Sequence, residues 1–268
     1  VVSQIVRSPG VYYGKETDLK TDLPILTSTV IPNRGAWLEY ETDMHDVDVI
    51  HVRIDKNRRF PLATFIRSLG AYTDFPLSTN EDILAVLGED DRLYATLEKD
   101  PSVNTDSALI EVYKKLRPGE PATIEGSRQH VQRLLFDPRR YDISRVGRYK
   151  YNKKLSLAPR IEGRKLGEPV ADPRTGEVLI RAGETISREK AREIQNAGVN
   201  TVDVRLEGGR VHRVVGNHFV DAAQYLPFDP KEAGVQENVL YPVLTEILGA
   251  CGDDEKLLRE TVRARAHD

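Results

Sequence analysis

The side chains best suited to chemistry in this sequence are an indole, a guanidinium and a carboxylate set beside turns. Trp37 is the sole tryptophan of the 268-residue chain and follows Asn33-Arg34-Gly35-Ala36 at the mouth of a strand. An aromatic ring so placed can stack on an unpaired nucleobase, a contact worth roughly 1–3 kcal/mol. The same ring can instead pack into a core beside Leu38 and Tyr40. Arg7 lies between apolar residues and a Ser8-Pro9-Gly10 turn. Its planar fork fits a guanine edge or a phosphate, and equally an ordinary surface ion pair. Asp55 ends a strand, where a carboxylate accepts from an exocyclic amine or caps a turn. Lys56, Arg58 and Arg59 share the turn that follows and can reach phosphates or stay solvated.

Charge along the chain adds a second signal. The net charge is −3, yet residues 128–165 carry twelve basic and three acidic side chains, a local +9. Such an island in an otherwise acidic chain is a candidate polyanion-facing surface. Its alternative is a solvated face balanced by acidic neighbours in the fold.

Other chemistries find little footing. There is no Walker-type phosphate loop, and Gly208-Gly209 is a turn inside a strand pair rather than a dinucleotide fingerprint. His212 and His218 are close, but no Cys or carboxylate pattern completes a metal site around them. Asp46 and Asp48 read as solvated turn residues. No Gly-x-Ser-x-Gly nucleophile motif occurs, and Cys251 has no evident base partner. As the only cysteine it permits no internal disulfide, and a reducing, cytoplasmic setting fits. No apolar run of about 18 residues predicts a membrane span, and the N-terminal residues lack the basic region and apolar core expected of a signal peptide.

Stepping from these residues to the elements that must hold them, the first 60 residues read mostly as strands and turns. Trp37–Glu41 and Val49–Asp55 alternate and predict a hairpin across a polar connection near Asp43–Asp46. Helices follow. Pro61 suits a first helical position ahead of Leu62, Phe65, Ile66 and Leu69, with Gly70 behind. Thr79 caps a helix ending at Gly88, and Thr105 or Asp106 caps one bearing Leu109, Val112, Tyr113 and Leu116. Ile124–Phe136 is a further helix. Beyond residue 160, a hairpin about Pro173-Arg174-Thr175-Gly176 precedes a helix capped by Ser187 and closed by Gly198. Two strands, Val199–Leu206 and Arg210–Val215, come next, and then helix from about Asn238 to Ala264, interrupted near Gly249–Asp253. The expected fold is α+β, mixing helices with short antiparallel sheets and carrying a hairpin–helix–strand subdomain. The expected division is 1–154 and 155–268. The chain opens, without Met, inside a packed alternating segment, which predicts a piece of a longer protein.

Five blocks then converge on one family. They are Ser3–Val11, Ile31–Glu39, Val52–Lys56, Leu116–Thr123 and Arg140–Asn152, in that order. Together they resemble the lobe of the bacterial RNA polymerase β subunit. The unit beginning near Val170 resembles the Gram-positive version more loosely. The resemblance implies a noncatalytic module forming one jaw over the downstream DNA channel, opposite the β′ clamp. It implies no cofactor in this chain, the catalytic magnesium being held by β′ aspartates. By the same resemblance Trp37 stacks on a non-template base, Arg7 lines a pocket for the next, guanine-preferring position, and Asp55 lies beside both. Other β segments would complete that pocket. Lys56, Arg58 and Arg59 remain candidates for phosphate contact. The implied partners are DNA (downstream duplex and non-template strand), β′, α, the rest of β and sigma factor, with no membrane, in a nucleoid-associated setting. A module that mainly docks sigma, β′ or regulators is the competing reading; an independent enzyme is a third.

Overall fold

The computed structural model describes residues 5–19, 22–43, 48–252 and 254–266. Ser3, Gln4 and Asp46 therefore lie outside the described residues. The fold is α+β, with helices and several small antiparallel sheets. By its contacts the chain divides into two compact units, Val1–Tyr151 and Asn152–Asp268.

Unit 1 is built on a five-stranded antiparallel meander whose strands pair in sequence order. These are β1 (Gly10–Thr17), β2 (Pro24–Ile31), β3 (Leu38–Thr42), β4 (Ile50–Ile54) and β5 (Phe60–Pro61). The expected hairpin is β3–β4. Its register sets Leu38 opposite Ile54 and Tyr40 opposite Val52, so one face carries the apolar side chains. The other face sets Glu39 opposite Arg53, joined at 2.8 Å. Val52 and Ile54 are fully buried.

Six helices complete the unit or leave it: α1 (Leu62–Leu69), α2 (Asn80–Leu87), α3 (Asp91–Glu98), α4 (Thr105–Leu116), α5 (Ile124–Leu135) and α6 (Arg145–Leu155). Their starts follow local chemistry. Thr79 accepts from the Asp82 N–H while Asp82 reaches back to the Thr79 N–H, a complete capping box. Thr123 accepts from the Gly126 N–H. Two starts differ by one residue from the sequence expectation. Asn104, rather than Thr105 or Asp106, caps α4, because its side chain takes the Ser107 N–H. Pro61 sits just outside α1 with extended ψ, since it also pairs with His51 as part of β5. The sheet and α1, α4 and α5 enclose one core of Ala36, Val52, Ile54, Phe60, Phe65, Leu109, Val112, Leu116 and Val131. A smaller core joins Ala63, Leu77, Ile83, Leu93 and Leu97.

Between these cores lies a buried ion pair. Arg67, 2 % exposed, meets Asp100 at 3.1 Å. Its guanidinium also donates to the Ser78 carbonyl and to Asn80 Oδ1. Asp100 in turn accepts from Thr64 Oγ1 at 2.7 Å and from the Ser102 N–H at 2.9 Å. Each guanidinium nitrogen and each carboxylate oxygen thus has a partner, as a buried charge requires.

Unit 2 holds α7 (Ala158–Ile161), β6 (Lys165–Leu166), β7 (Val170–Ala171), β8 (Val178–Ile180), α8 (Arg188–Asn196), β9 (Thr201–Arg205), β10 (Val211–Val215), β11 (Phe219–Val220), β12 (Val239–Leu240), α9 (Tyr241–Cys251) and α10 (Glu255–Arg265). The β7–β8 hairpin, the Ser187 cap and the β9–β10 pair match expectation. Gly198 closes α8 with φ 89°, and a Cβ there would strike the Tyr241 ring at 2.5 Å, so no other residue fits. One expectation is corrected: Val239 and Leu240 are not helical but pair with β11. Two cores fill the unit. One gathers α8 on the β6–β9–β10 sheet, and the other lies among α9, α10 and the segment 220–239.

Candidate nucleic-acid interface

The sheet end of unit 1 is where the singled-out residues meet. A cleft of about 970 Å³ is lined by Ile5, Val6, Asn33, Arg34, Gly35, Trp37, Glu39, Asp55, Lys56 and Asn57. An adjoining recess of about 490 Å³ is lined by Ile5, Val6, Arg7, Ser8, Tyr12, Ile31 and Trp37. Trp37 borders both, half-buried. Trp37, Asp55 and Lys56 thus share the cleft, and Arg7 faces the same indole from the recess. Arg58 and Arg59 line neither. Arg58 is exposed, whereas Arg59 turns back to Glu41 at 3.3 Å and Asp43 at 3.1 Å.

Backbone bonds aim the indole. The Trp37 N–H donates to Asp55 Oδ1 at 2.7 Å, and the Asp55 N–H donates to the Trp37 carbonyl at 2.8 Å. This closed pair extends the β3–β4 ladder one step beyond Leu38 and Ile54. Asp55 adopts φ 53°, a left-handed conformation that Asp tolerates better than most residues. Its carboxylate is therefore committed to the Trp37 peptide. Asn57 completes the turn, its amide donating to the Ile54 carbonyl at 3.0 Å.

The opposite wall is held by a segment remote in sequence. Asn33 and Arg34 donate their N–H groups to the Asp142 carbonyl at 2.8 and 3.0 Å, and the Asp142 N–H donates to the Arg34 carbonyl at 2.8 Å. Gly35 follows with φ 128°; a Cβ there would lie 2.6 Å from the Tyr141 ring, so this close approach needs glycine. The Ser144 N–H and the Asn33 side chain hold the Asp142 carboxyl below its ordinary range. Burial, with the Asp55 carboxylate adding, pushes the Tyr141 phenol up to about 12. Burial likewise raises Tyr40 and Tyr151. All three phenols are neutral at physiological pH. Behind the recess, Gly147 packs on Pro9, and Lys150 donates to Ser8 Oγ.

The lining suits a flat, hydrogen-bonding guest. Its charges balance, Arg34 and Lys56 against Glu39 and Asp55, while Asn33 and Asn57 offer both donors and acceptors. An indole wall with mixed polar edges matches a nucleobase better than a phosphate. Sequence reasoning missed Asn33, Arg34 and Asn57 as lining residues, although the Asn33-Arg34-Gly35 turn was visible. Among the described residues no group of three or more His, Cys, Asp or Glu side chains is disposed to hold a metal ion.

A family model described as RNA polymerase Rpb2, domain 2 matches residues 7–167, more than half of the chain. The chain belongs to this family. Domain 2 here thus covers the meander, α1 to α7 and the cleft lining other than Ile5 and Val6. The chain is also 48 % identical over 265 residues to the DNA-directed RNA polymerase subunit beta of Clostridioides difficile, covering 99 % of this chain and 21 % of that protein. It is 50 % identical over 267 residues to the subunit of the same name from Acetivibrio thermocellus, covering 98 % of this chain and 21 % of the relative. The corresponding protein of Alkaliphilus oremlandii is 48 % identical over 268 residues. The chain spans about a fifth of the length of these relatives.

Proposed function

We propose that this chain is the noncatalytic lobe of a bacterial RNA polymerase β subunit, and that its cleft holds a base of the non-template strand during transcription. The lobe borders the downstream DNA channel; β′, α, the rest of β and sigma factor are its assembly partners. The nucleotidyl transfer itself, with its magnesium, belongs to another subunit, and the setting is the nucleoid in the cytoplasm. Trp37 is the observation that carries this reading. It is a half-buried indole, fixed through its peptide by Asp55 and open to a cleft on one side and a recess on the other. Arg7, in the recess, is placed to address the neighbouring base or its phosphate. Lys56 serves as a cation at the cleft mouth.

The test is Trp37→Ala in the assembled polymerase. Losing one stacked base costs about 1–3 kcal/mol, so the open-complex lifetime falls roughly 5- to 150-fold and the non-template footprint recedes. An unchanged footprint and lifetime would overturn the proposal.

A docking role has its own supporting observation. Phe75 and Val103 of unit 1 are 64 % and 77 % exposed, apolar side chains available to a neighbouring protein in an assembly. Neither residue lines the cleft or the recess.

A further inference from the structure

The basic segment is split by the fold into spent and unspent charges. Arg128 pairs with Asp106 at 3.6 Å, Arg140 with Asp137 at 3.9 Å, and Lys150 reaches Ser8. Among the described residues, Arg139 and Arg148 meet no carboxylate at such distances; both are exposed. They are not scattered. Arg139 follows Pro138, whose carbonyl accepts from the Arg34 guanidinium at 3.2 Å. Arg34 donates its N–H to the Asp142 carbonyl, and Arg148 lies one helical turn beyond Ser144, whose N–H donates to the Asp142 carboxylate at 2.9 Å, so both cations lie near Asp142. Arg139, Arg34 and Arg148 thus form an arc near Asp142; the adjacent Asp137 takes the Arg139 N–H and already pairs with Arg140, so cations outnumber carboxylates along it. Arg34, the member of the arc between the other two, lines the cleft itself. Beside Arg148, Tyr149 is 50 % exposed on the same turn of α6.

We infer that this arc binds the sugar–phosphate backbone of the nucleic-acid strand whose base enters the Trp37 cleft. The inference rests on the proposed reading of that cleft and extends it from one base to the path of the strand. A strand with a base against Trp37 must lead its backbone out of the cleft, and Arg34, at the lip, belongs to the arc. Guanidinium forks match phosphate oxygens bidentately, and an exposed tyrosine ring offers a further stacking surface. An acidic protein segment would satisfy the charges, but it would use neither the continuity with the cleft nor the ring.

The experiment uses the assembled polymerase carrying Arg139→Gln and Arg148→Gln, leaving Arg34 and Trp37 intact. Binding to a bubble DNA is measured across a salt series. Its non-template strand carries 2-aminopurine at the position quenched by Trp37. Each phosphate contact to a single strand contributes about 0.7 to the slope of log K against log salt, so the slope falls by roughly 1.4 for the pair. Quenching of the 2-aminopurine persists at saturating DNA. An unchanged slope with normal quenching overturns the arc and leaves the cleft reading standing. An unchanged slope with weakened retention of sigma or β′ overturns it in favour of a protein dock. Quenching that is the same in wild type and in Trp37→Ala sinks the cleft reading itself, and with it the strand path.

Discussion

Asp55 is a positioning residue for Trp37, and its two duties can be separated by substitution. Asn keeps an acceptor at the same place and tolerates left-handed φ, whereas Ala loses the acceptor and strains the backbone. Asp55→Asn is therefore expected to leave both stability and Trp37 emission close to wild type. Asp55→Ala is expected to cost about 1–2 kcal/mol and to shift the emission to the red as the indole loosens. Denaturant midpoints and the fluorescence of the sole tryptophan read both effects; an Ala variant with wild-type emission would show that Asp55 does not aim the ring. At this scale the sequence showed which residue types were present but not their commitments. Asp55 could meet a base or cap a turn, and only the register of β3 with β4 reveals that its carboxylate takes the Trp37 N–H. Arg59 looked like its neighbour Arg58 until the sheet placed Glu41 and Asp43 within 3.3 Å of it.

Among the elements, the pair Arg67–Asp100 ties α1 to the loops after α3 and before α2. Arg67→Met strands the Asp100 carboxylate in the interior, and a loss of about 3–5 kcal/mol is expected in urea unfolding. Adding Asp100→Asn should recover part of this, because the charge goes while an acceptor for Thr64 and Ser102 stays. A single variant within about 1 kcal/mol of wild type would mean water reaches the site. Elements with strong caps or strict alternation were readable: the Thr79 and Ser187 helices, and β3 and β4. Those without were not. Helix α3 offers only Leu93, Thr96 and Leu97 to its core. Helix α6 buries little beyond Gly147, so no apolar stripe betrays it. The long hairpin β1–β2 escaped because β1 exposes both faces past Val11, and burial imposes no alternation there.

The whole chain has two units with separate cores, and unit 2 closes both of its cores with its own residues. A polypeptide of residues 145–268, which keeps α6 whole, is expected to unfold cooperatively on heating, followed by circular dichroism. A broad, non-cooperative melt would show that its cores depend on unit 1. The α+β class and the run of elements were legible from patterning. The cleft was legible only through family blocks, because the Asn33–Gly35 wall beside the β3–β4 hairpin is braced by Tyr141 and Asp142, and no local pattern pairs segments so far apart.

That pairing has a consequence in time. Asn33 and Asp142 are bonded across 109 residues of chain. A ribosome adds about 5–20 residues per second, so the first wall waits roughly 5–20 s for the strip that braces it. Through that interval the meander and helices α1 to α5 can assemble, but Gly35 has no Tyr141 to lie against and Ser8 has no Lys150. The cleft is thus the last part of unit 1 to take shape as the chain is born, and a pause in translation ahead of codon 142 would prolong its absence without disturbing the cores beneath it.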